Sequence, residues 1–381
     1  MTDFGTDEFD VLTEFGWKSI KDVNINDKIW TMDFSSRKAN LDTVKSIERY
    51  KFDNIIRISG KNIFGEFPIN HNLLIENRRG DLEIVKLEDI FINRIKYSHS
   101  RIPKLLDISE KKCSYRKFII SAVDPKRVVN NGKEDPRLPL TMDKGLFCKI
   151  LGLWLAEGSI GGTSRDGRFI PRQVVITQSI SANPDKCDSI DKLWEEIPDN
   201  LFTYTRIYGR KKLWYLSDIR IANYFYSMGN VYTKKIPNDI LSFEKDDLEK
   251  LLYWFALGDG RESNHRRKYD NIILDNYKDV FSVSKKLTED LSYIALKCGV
   301  GISNYRKIIE KDYMFASHLI KHDKRQPLNF VSLNANSSIS LKQDNLKIET
   351  AIKGREFIKF SLNSPIIYVR CKGKSYWTIF G

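Results

Sequence analysis

The sequence predicts a mixed α/β (α+β) protein in which a middle region of helices and strands is inserted into a β-rich domain. Residues 1 to about 110 consist of short apolar runs separated by turns, as expected of half-buried strands. From about residue 140, longer apolar segments with helical spacing alternate with strand-like runs, and the tail returns to strands. A β-rich head and tail around such a region indicates that one domain interrupts another.

The composition allows a sizeable core and a polyanionic partner. The chain has 381 residues, of which 41% are hydrophobic and 12% aromatic, and this excludes wholesale disorder and is typical of two or three domains. Lysine and arginine number 63 against 50 aspartates and glutamates, which gives a formal net charge of +13. A protein with this excess of positive charge suits a partner such as nucleic acid.

Cysteine usage and the apolar runs predict an intracellular protein without a membrane span. The five cysteines form no CxxC pair, which argues against a zinc knuckle or a disulfide framework. Lys149 interrupts the most apolar segment, so no run approaches the roughly 18 residues of a membrane helix. The acidic first residues lack an apolar signal segment. We expect a location in the cytoplasm or nucleoid, and a phage or viral origin stays open.

In the head, a turn at Gly16 separates two short strands, and Lys28–Met32 and Asn54–Ser59 read as further strands. Pro, Asn, Gly and charged residues are concentrated between Ala122 and Arg137, which predicts a linker. The pattern of the middle and tail predicts four helices and five more strands: helices Gly145–Ala156, Asp188–Glu196, Ser217–Met228 and Lys245–Leu257, and strands Gln173–Thr177, Lys212–Leu216, Glu356–Leu362, Pro365–Arg370 and Ser375–Ile379.

The middle region contains an internal repeat. Each half opens with an apolar helix that ends in an acid followed by glycine, at Glu157-Gly158 and at Asp259-Gly260. Each half closes with a Lys-x-x-Pro tetrad, which begins at Lys234 in the first half and at Lys324 in the second. One such helix alone is most simply a buried helix capped by glycine. Two helices with matching ends and matching tetrads favour a functional site.

The spacing of small residues predicts that the two helices pack against each other. Gly152 and Ala156 are four residues apart and share one helical face, and Gly258 stands at the position equivalent to Ala156. If these faces meet, Glu157 and Asp259 come together at one end. Two adjacent carboxylates repel each other unless a cation lies between them, and Mg²⁺ prefers such oxygen ligands. This chemistry, with a lysine nearby, suits attack of water on a phosphodiester.

The repeated acid-Gly helices resemble the paired signature of the two-repeat LAGLIDADG homing endonucleases, over roughly residues 139–332. The resemblance implies a monomer with internal pseudo-twofold symmetry, in which an αββαββ arrangement forms a saddle over the DNA major groove. It also implies that Glu157 and Asp259 bind the metal and that Lys234 and Lys324 support the cleavage of both strands.

Basic residues of the predicted strands and of the loops next to them are the candidates for DNA contacts, since a sheet face reaches base edges and loop-end cations meet phosphates. They are Arg165, Arg168, Arg172, Arg206, Arg210, Lys211, Lys212, Arg266, Arg267, Lys268, Arg306 and Lys307.

The flanks resemble the two parts of an all-β intein Hint (hedgehog/intein) domain. Val11–Val23 is similar to its first block, Asn70–Ile75 to the block that holds the splicing histidine, here His71, and Tyr368–Thr378 to its last block. The expected organisation is a Hint N-terminal part, a linker, the endonuclease domain and a Hint C-terminal part, over residues 1–120, 121–138, 139–332 and 333–381.

Several positions that correspond to splicing residues of the Hint family lack the functional groups that protein splicing needs. The first cysteine is Cys113, far from the upstream junction, and a phenyl ring or a glycine cannot replace the cyclising asparagine or the downstream nucleophile. The degenerate splicing positions are Phe4, Pro68, His71, Phe380 and Gly381. Either a natural intein has decayed or splicing was blocked by engineering, and the sequence does not separate the two.

The sequence therefore predicts a sequence-specific, Mg²⁺-dependent endonuclease that hydrolyses double-stranded DNA and is carried in a splicing-defective Hint scaffold. The first alternative is a catalytically silent DNA-binding protein on the same scaffold, against which the two retained acids argue. A splicing-competent intein that was blocked by engineering is the second. An HNH-type nuclease centred on Asn70-His71-Asn72 is a weaker third, because no second histidine follows at ligand spacing.

Overall fold

The computed structural model shows a mixed α+β protein that is rich in strands. It describes residues 5–6, 8–93, 95–108, 116–123, 135–165, 167–263, 271–308, 312–315, 318–321, 326–334, 338–342, 346–351 and 355–380. Most of the predicted linker therefore lies outside the described residues. None of the helices in the described part of the chain combines the length and the apolar character that a membrane crossing requires.

The chain forms two compact units. Unit 1 comprises Met1–Lys111, Glu289–Tyr305 and Val331–Gly381, and unit 2 comprises Lys112–Thr288 and Arg306–Phe330. Two separate flanks of the sequence thus contribute to unit 1. The contact boundaries differ from the expected domain limits at residues 289–305, which cluster with unit 1 although the sequence repeat includes them.

Within its described residues, the head of the chain contains eleven strands, one 3₁₀ turn at Ile20–Asp22 and one helix. They are β1 Gly5–Thr6, β2 Phe9–Thr13, β3 Gly16–Ser19, β4 Lys28–Met32, β5 Ala39–Thr43, β6 Ser46–Phe52, β7 Ile55–Gly60, β8 Phe64–Pro68, β9 Asn72–Glu76, β10 Leu82–Lys86, α1 Leu87–Ile92 and β11 Arg101–Pro103.

The middle of the chain alternates helices and strands. Its elements are β12 Lys117–Ile120, β13 Leu140–Asp143, α2 Lys144–Glu157, β14 Gly158–Arg165, β15 Arg168–Ser179, α3 Pro184–Glu195, β16 Phe202–Tyr208, β17 Lys211–Ser217, α4 Ile219–Tyr226, α5 Asn238–Leu241, α6 Lys245–Asp259, β18 Gly260–Glu262, α7 Ile272–Asn276, β19 Tyr277–Ser282, α8 Lys285–Lys297, β20 Gly301–Lys307, β21 Tyr313–Phe315, β22 His318–Ile320 and β23 Leu328–Asn334. The tail adds β24 Ser338–Ser340, β25 Leu346–Ala351, β26 Arg355–Ser361, β27 Ile366–Cys371 and β28 Lys374–Ile379.

In unit 1 the first and last segments of the chain share sheets. Strand β27 pairs with β28, β2 and β4, so the tail hairpin continues the sheet of the head. Strand β26 lies between β1 and β6, and β25 pairs with β7. Side chains from both segments, including Val11, Phe67, Val369 and Phe380, fill one apolar core. This shared core explains how the chain can leave and re-enter a single domain.

In unit 2 a four-stranded antiparallel sheet has the order β14-β15-β17-β16. Alternate residues of its strands face opposite sides, and Val174, Ile176, Trp214 and Leu216 are fully buried on one of them. Helices α2, α3 and α4 pack against the sheet. The opposite face carries partly exposed residues such as Tyr215, so it is open to solvent.

Helices α2 and α6 pack side by side at the positions that the sequence predicted. A Cβ atom added at Gly152 would lie 2.2 Å from the Leu251 carbonyl oxygen, and one added at Gly258 would lie 2.5 Å from Ala156 Cβ. Backbone therefore meets backbone at Gly152. Two of the other predicted helices have different bounds: α3 begins at Pro184, because proline suits the first helical turn, and α4 begins after Asp218, which caps it.

Replacing Gly152 with alanine is expected to lower the free energy of unfolding by about 1–3 kcal/mol, because the new methyl group would push two helix backbones apart. The matched control is Gly145→Ala at the other end of α2, where the added Cβ meets chiefly the flexible Lys250 ammonium group and helix propensity gains up to about 1 kcal/mol. Thermal unfolding of the two variants measures the difference. Equal melting temperatures would contradict the close contact.

Candidate functional site

The candidate site lies in unit 2, where α2 and α6 end. Both helices pass directly into a strand through a glycine in extended conformation, with φ −93° at Gly158 and φ −103° at Gly260. These glycines do not form the left-handed cap that is usual after helices. Because the chain turns straight into β14 and β18, the last helical residues, Glu157 and Asp259, lie at the same end of the packed pair.

The two carboxylates are close enough to affect each other electrostatically. The pKa of Asp259 is raised to about 7, first because the carboxyl group is removed from solvent and second because of the negative charge of Glu157. The positive charges of Lys234 and Lys186 oppose this shift. In the absence of a cation, Asp259 therefore retains its proton to a higher pH than an exposed aspartate does.

Glu157 is held in place by a hydrogen-bond chain from β15. Gln178 Nε2 donates to Glu157 Oε1 at 3.0 Å, and Gln178 Oε1 accepts from Asn183 Nδ2 at 2.9 Å and from the Ser179 backbone N–H at 3.0 Å. Gln178 is buried, so its amide cannot rotate freely. The sequence did not predict this function of Gln178.

Lys234 caps the C-terminus of α2. Its ammonium group donates to the carbonyl oxygens of Trp154 at 2.9 Å, Leu155 at 3.0 Å and Gly158 at 3.2 Å. The last carbonyls of a helix lack partners within the helix, and a cation satisfies them well. Burial lowers the Lys234 pKa to about 8, against the opposing effect of Asp259 and Glu157. All three N–H donors are thus used by backbone oxygens rather than directed at a water molecule.

A second lysine, which the sequence analysis missed, lies at the end of α6. Lys186 of α3 donates to the Gly258 carbonyl oxygen at 3.1 Å, and its charge lowers the pKa of Asp259. The two residues are 72 positions apart in sequence, and no spacing rule connects them. Each helix that carries an acid therefore has a lysine bound to the carbonyls of its last turn.

A pocket of about 780 Å³ opens beside Glu157. Its lining includes Trp154, Lys234, Phe169 and Tyr226, and the Phe169 and Tyr226 ring centroids lie 5.4 Å apart. The walls are mainly apolar, so the carboxylate faces a space from which water is partly excluded.

The acids fit a hard divalent cation, although only two of them are present. Among the described residues, no group of three or more His, Cys, Asp or Glu side chains could hold a metal ion. Mg²⁺ commonly retains several waters and uses one or two carboxylates together with phosphate oxygens of its substrate. Glu157 and Asp259 therefore suit an ion that is completed by substrate, and they do not form a closed structural metal site.

The second closing lysine cannot be placed. Lys324 lies outside the described residues, and so do Arg266, Arg267 and Lys268. The support that Lys324 was expected to give the second half stays a prediction.

Most of the remaining basic candidates are exposed on strands or turns of unit 2. Arg206 and Lys211 lie on the open face of the sheet, while Arg172 is half-buried and donates to Thr163 Oγ1 at 3.1 Å. The others are exposed where strands end or turn, namely Arg165, Arg168, Arg210, Arg306 and Lys307.

Lys212 differs from this expectation. It alternates with Lys211 and points to the helix-covered face, where its ammonium group pairs with Asp191 of α3 at 2.6 Å and lies over the Trp214 ring. The register of β17 therefore removes it from the surface that could meet DNA.

Three of the proposed splicing positions, Pro68, His71 and Phe380, are buried in unit 1. His71 is fully buried, stacks on Phe67 at 4.4 Å, and has Nε2 3.2 Å from Thr378 Oγ1. The Phe380 ring, also fully buried, lies 6.0 Å from the imidazole. Pro68 is buried at the end of β8. Burial lowers the pKa of His71 to about 3, so the ring is neutral near pH 7. The remaining positions, Phe4 and Gly381, lie outside the described residues.

Known proteins resemble this chain only remotely. No protein-family model matches it. The ATP-dependent Clp protease proteolytic subunit of Chlamydomonas moewusii is 20% identical over 90% of this chain, which spans 35% of that protein's length. Among solved structures, the homing endonuclease I-DmoI in complex with DNA and Ca aligns with 50% of this chain and 84% of its own, at 16% identity and a TM-score of 0.34. An AceL NrdHF class 3 split intein aligns with 57% of this chain and 97% of its own, at 10% identity and a TM-score of 0.24. These likenesses are too weak to assign a function, which has to rest on the site itself.

The elevated pKa of Asp259 predicts a specific pH dependence of stability in the presence of a chelator. The unfolded carboxyl group has a pKa of 3.8 and the folded one about 7, so the folded state holds one extra proton between these values. Its contribution to stability is then greatest at low pH and declines as pH rises to 7. Asp259→Asn removes this decline.

Melting temperatures measured in EDTA at pH 5 and pH 7.5 test this, in a range below the Lys234 pKa of about 8. Relative to the unmodified protein, Asp259→Asn is expected to gain stability as the pH rises. The control Asp188→Asn changes an exposed residue of α3 and is expected to leave the pH dependence unchanged. An Asp259→Asn effect of the same size at both pH values would show that this carboxyl group does not titrate near 7.

Proposed function

We propose that the chain is a sequence-specific, Mg²⁺-dependent endonuclease for double-stranded DNA, of the two-repeat LAGLIDADG type, carried in a splicing-defective Hint scaffold. The observation that carries the proposal is the pair of acids, Glu157 and Asp259, at the common end of two helices in backbone contact. We infer that residues 139–332 form the endonuclease, that it acts as a monomer, and that the flanks form the Hint domain.

The proposed chemistry depends on the negative charge of the two acids. Glu157 helps to raise the pKa of Asp259, and two carboxylates at such a distance also attract a divalent cation, which would replace the proton on Asp259. Such an ion supplies Lewis-acid stabilisation to a phosphodiester and makes a bound water more acidic. Gln178 orients Glu157, while Lys234 binds carbonyl oxygens at the end of α2 and Lys186 binds one at the end of α6.

Substrate binding is assigned to the open face of the sheet. Arg206 and Lys211 project from this face, and Arg165, Arg168 and Arg210 lie at the turns that join its strands. Side chains in the middle of strands suit contacts with base edges, and cations at the turns suit phosphates. Strand β14 forms one edge of this face and begins at the glycine after Glu157. DNA bound on the face would therefore pass next to the acids.

The alternative functions are less well supported. A silent DNA-binding protein gains nothing from two repelling carboxylates, which cost stability near neutral pH. An HNH-type site at His71 would need an accessible imidazole, but this residue is fully buried. Splicing would need a proton donor at the same histidine, and its pKa of about 3 does not allow that near pH 7.

Replacing Asp259 with asparagine is expected to abolish cleavage of both DNA strands, with a loss of more than about 10²-fold, because a preorganised charge at the reacting centre disappears. Glu157→Gln is expected to act in the same way. DNA affinity, measured with Ca²⁺ or without metal, should stay close to that of the unmodified protein, and Asp188→Asn should cleave normally. Full activity of either acid variant would refute the metal assignment.

Lys234→Met is expected to reduce both stability and cleavage, because the variant leaves three carbonyl oxygens at the end of α2 without their donor. Unsatisfied buried acceptors cost about 1–3 kcal/mol, and a displacement of about 1 Å at Glu157 would slow cleavage by about 10²-fold. Lys235→Met, at the exposed neighbouring position, is the matched control. A Lys234→Met protein with an unchanged melting temperature and no activity would show direct participation in cleavage instead of capping.

A further inference from the structure

The open face of the unit 2 sheet carries one arginine in a highly ordered environment. Tyr204 of β16 lies directly opposite Tyr215 of β17, and their rings stack with centroids 4.4 Å apart and an angle of 7° between the planes. Arg206 follows two residues after Tyr204 and so lies on the same face. Its guanidinium group is 5.2 Å from the Tyr204 ring centroid and 6.0 Å from that of Tyr215, and it donates to Tyr208 Oη at 3.3 Å.

The tyrosine pair is itself fixed to the sheet. Tyr204 Oη donates to Gln173 Oε1 at 3.0 Å, and Ser217 Oγ donates to the same oxygen at 3.2 Å. Three strands thus contribute to one support, β15 through Gln173, β16 through Tyr204 and β17 through Tyr215. Stacking of a cation on aromatic rings contributes about 0.5–1 kcal/mol at exposed sites, enough to favour one orientation of the guanidinium group.

The supported guanidinium group is available to a ligand. Arg206 is exposed, and within the described residues no carboxylate forms an ion pair with it. This differs from Lys212 on the opposite face, which Asp191 neutralises. An arginine has five N–H donors in a planar fork, and only one contact, with Tyr208, is formed here by a hydrogen bond. The other N–H donors of the guanidinium group can bind two acceptors that lie in one plane.

The position of Arg206 in the sheet favours contact with a DNA base over contact with a phosphate. Arg165 and Arg210 lie at hairpin ends, where cations usually meet the DNA backbone, whereas Arg206 lies within β16, the outermost strand of the sheet. In the major groove, guanine presents O6 and N7 as two adjacent acceptors, and the arginine fork is their usual partner. A guanidinium group that is already oriented loses less side-chain entropy on binding.

We infer that Arg206 reads one guanine in the major groove, in the outer part of the half-site that lies against this sheet. The inference rests on the proposed function, since it requires that the sheet face binds DNA. Tyr204, Tyr215 and Tyr208 act as positioning residues, which orient the guanidinium group without contacting the base.

Binding-site selection from a randomised duplex library tests the inference, with Ca²⁺ present so that binding is measured without cleavage. Arg206→Lys keeps the positive charge and removes the planar fork. The unmodified protein is expected to prefer guanine by at least about tenfold at one outer position, and Arg206→Lys should lose the preference at that position alone. Tyr215→Ala should weaken the same preference, because it removes part of the stack. Arg165→Lys, the control at the hairpin end, should retain the whole consensus.

The possible outcomes distinguish a failure of the guanine assignment from a failure of the proposed function. If the unmodified protein selects no consensus, sequence-specific DNA recognition itself is refuted. If it selects a consensus that Arg206→Lys retains, or weakens equally at every position, then Arg206 contacts a phosphate or nothing, and the guanine assignment is overturned. Melting temperatures of Arg206→Lys and Arg165→Lys equal to that of the unmodified protein show that both variants are folded.

Discussion

The backbone contact between α2 and α6 is the constraint on which the candidate site depends. Glycine at position 152 lets the Leu251 carbonyl approach, so that the two helix backbones lie in contact. Glu157 and Asp259 then share a small space with the negative ends of two helix dipoles. Burial of the Asp259 carboxyl group and the negative charge of Glu157 raise the pKa of Asp259 there. A cation bound between the two carboxylates would relieve this repulsion.

The two lysines near the acids explain how this arrangement is tolerated. Lys234 and Lys186 donate to carbonyl oxygens at the ends of α2 and α6, so they neutralise the dipoles and leave the carboxylates to a cation. A lysine paired directly with Asp259 would lower its pKa and compete with a metal ion. Capping the helix instead keeps positive charge near the site while the acid oxygens stay available. This division of roles suits the proposed site, which would have to bind a cation reversibly.

Much of the site could be predicted from sequence because its main features are local or repeated. The acid-Gly helices, the small residues on their faces and the Lys-x-x-Pro tetrads are visible as patterns, and the packed helix pair follows from them. The function of Lys234 as a cap, the hydrogen bond of Gln178 to Glu157 and the orientation of Lys212 were not predictable. Each depends on tertiary contacts or on strand register, since a shift by one residue would place Lys212 on the opposite face.

If the flanks form the proposed Hint scaffold, unit 1 would be a case in which chemistry is lost while a fold persists. Phe380 and Phe67 enclose His71, so this histidine is a neutral part of an apolar core. Phenyl groups at such positions add buried apolar area and thereby stabilise unit 1. The acids of unit 2 are packed within a separate unit with its own buried side chains. Because each unit has its own core, replacements that end splicing chemistry in one need not disturb the carboxylate pair in the other.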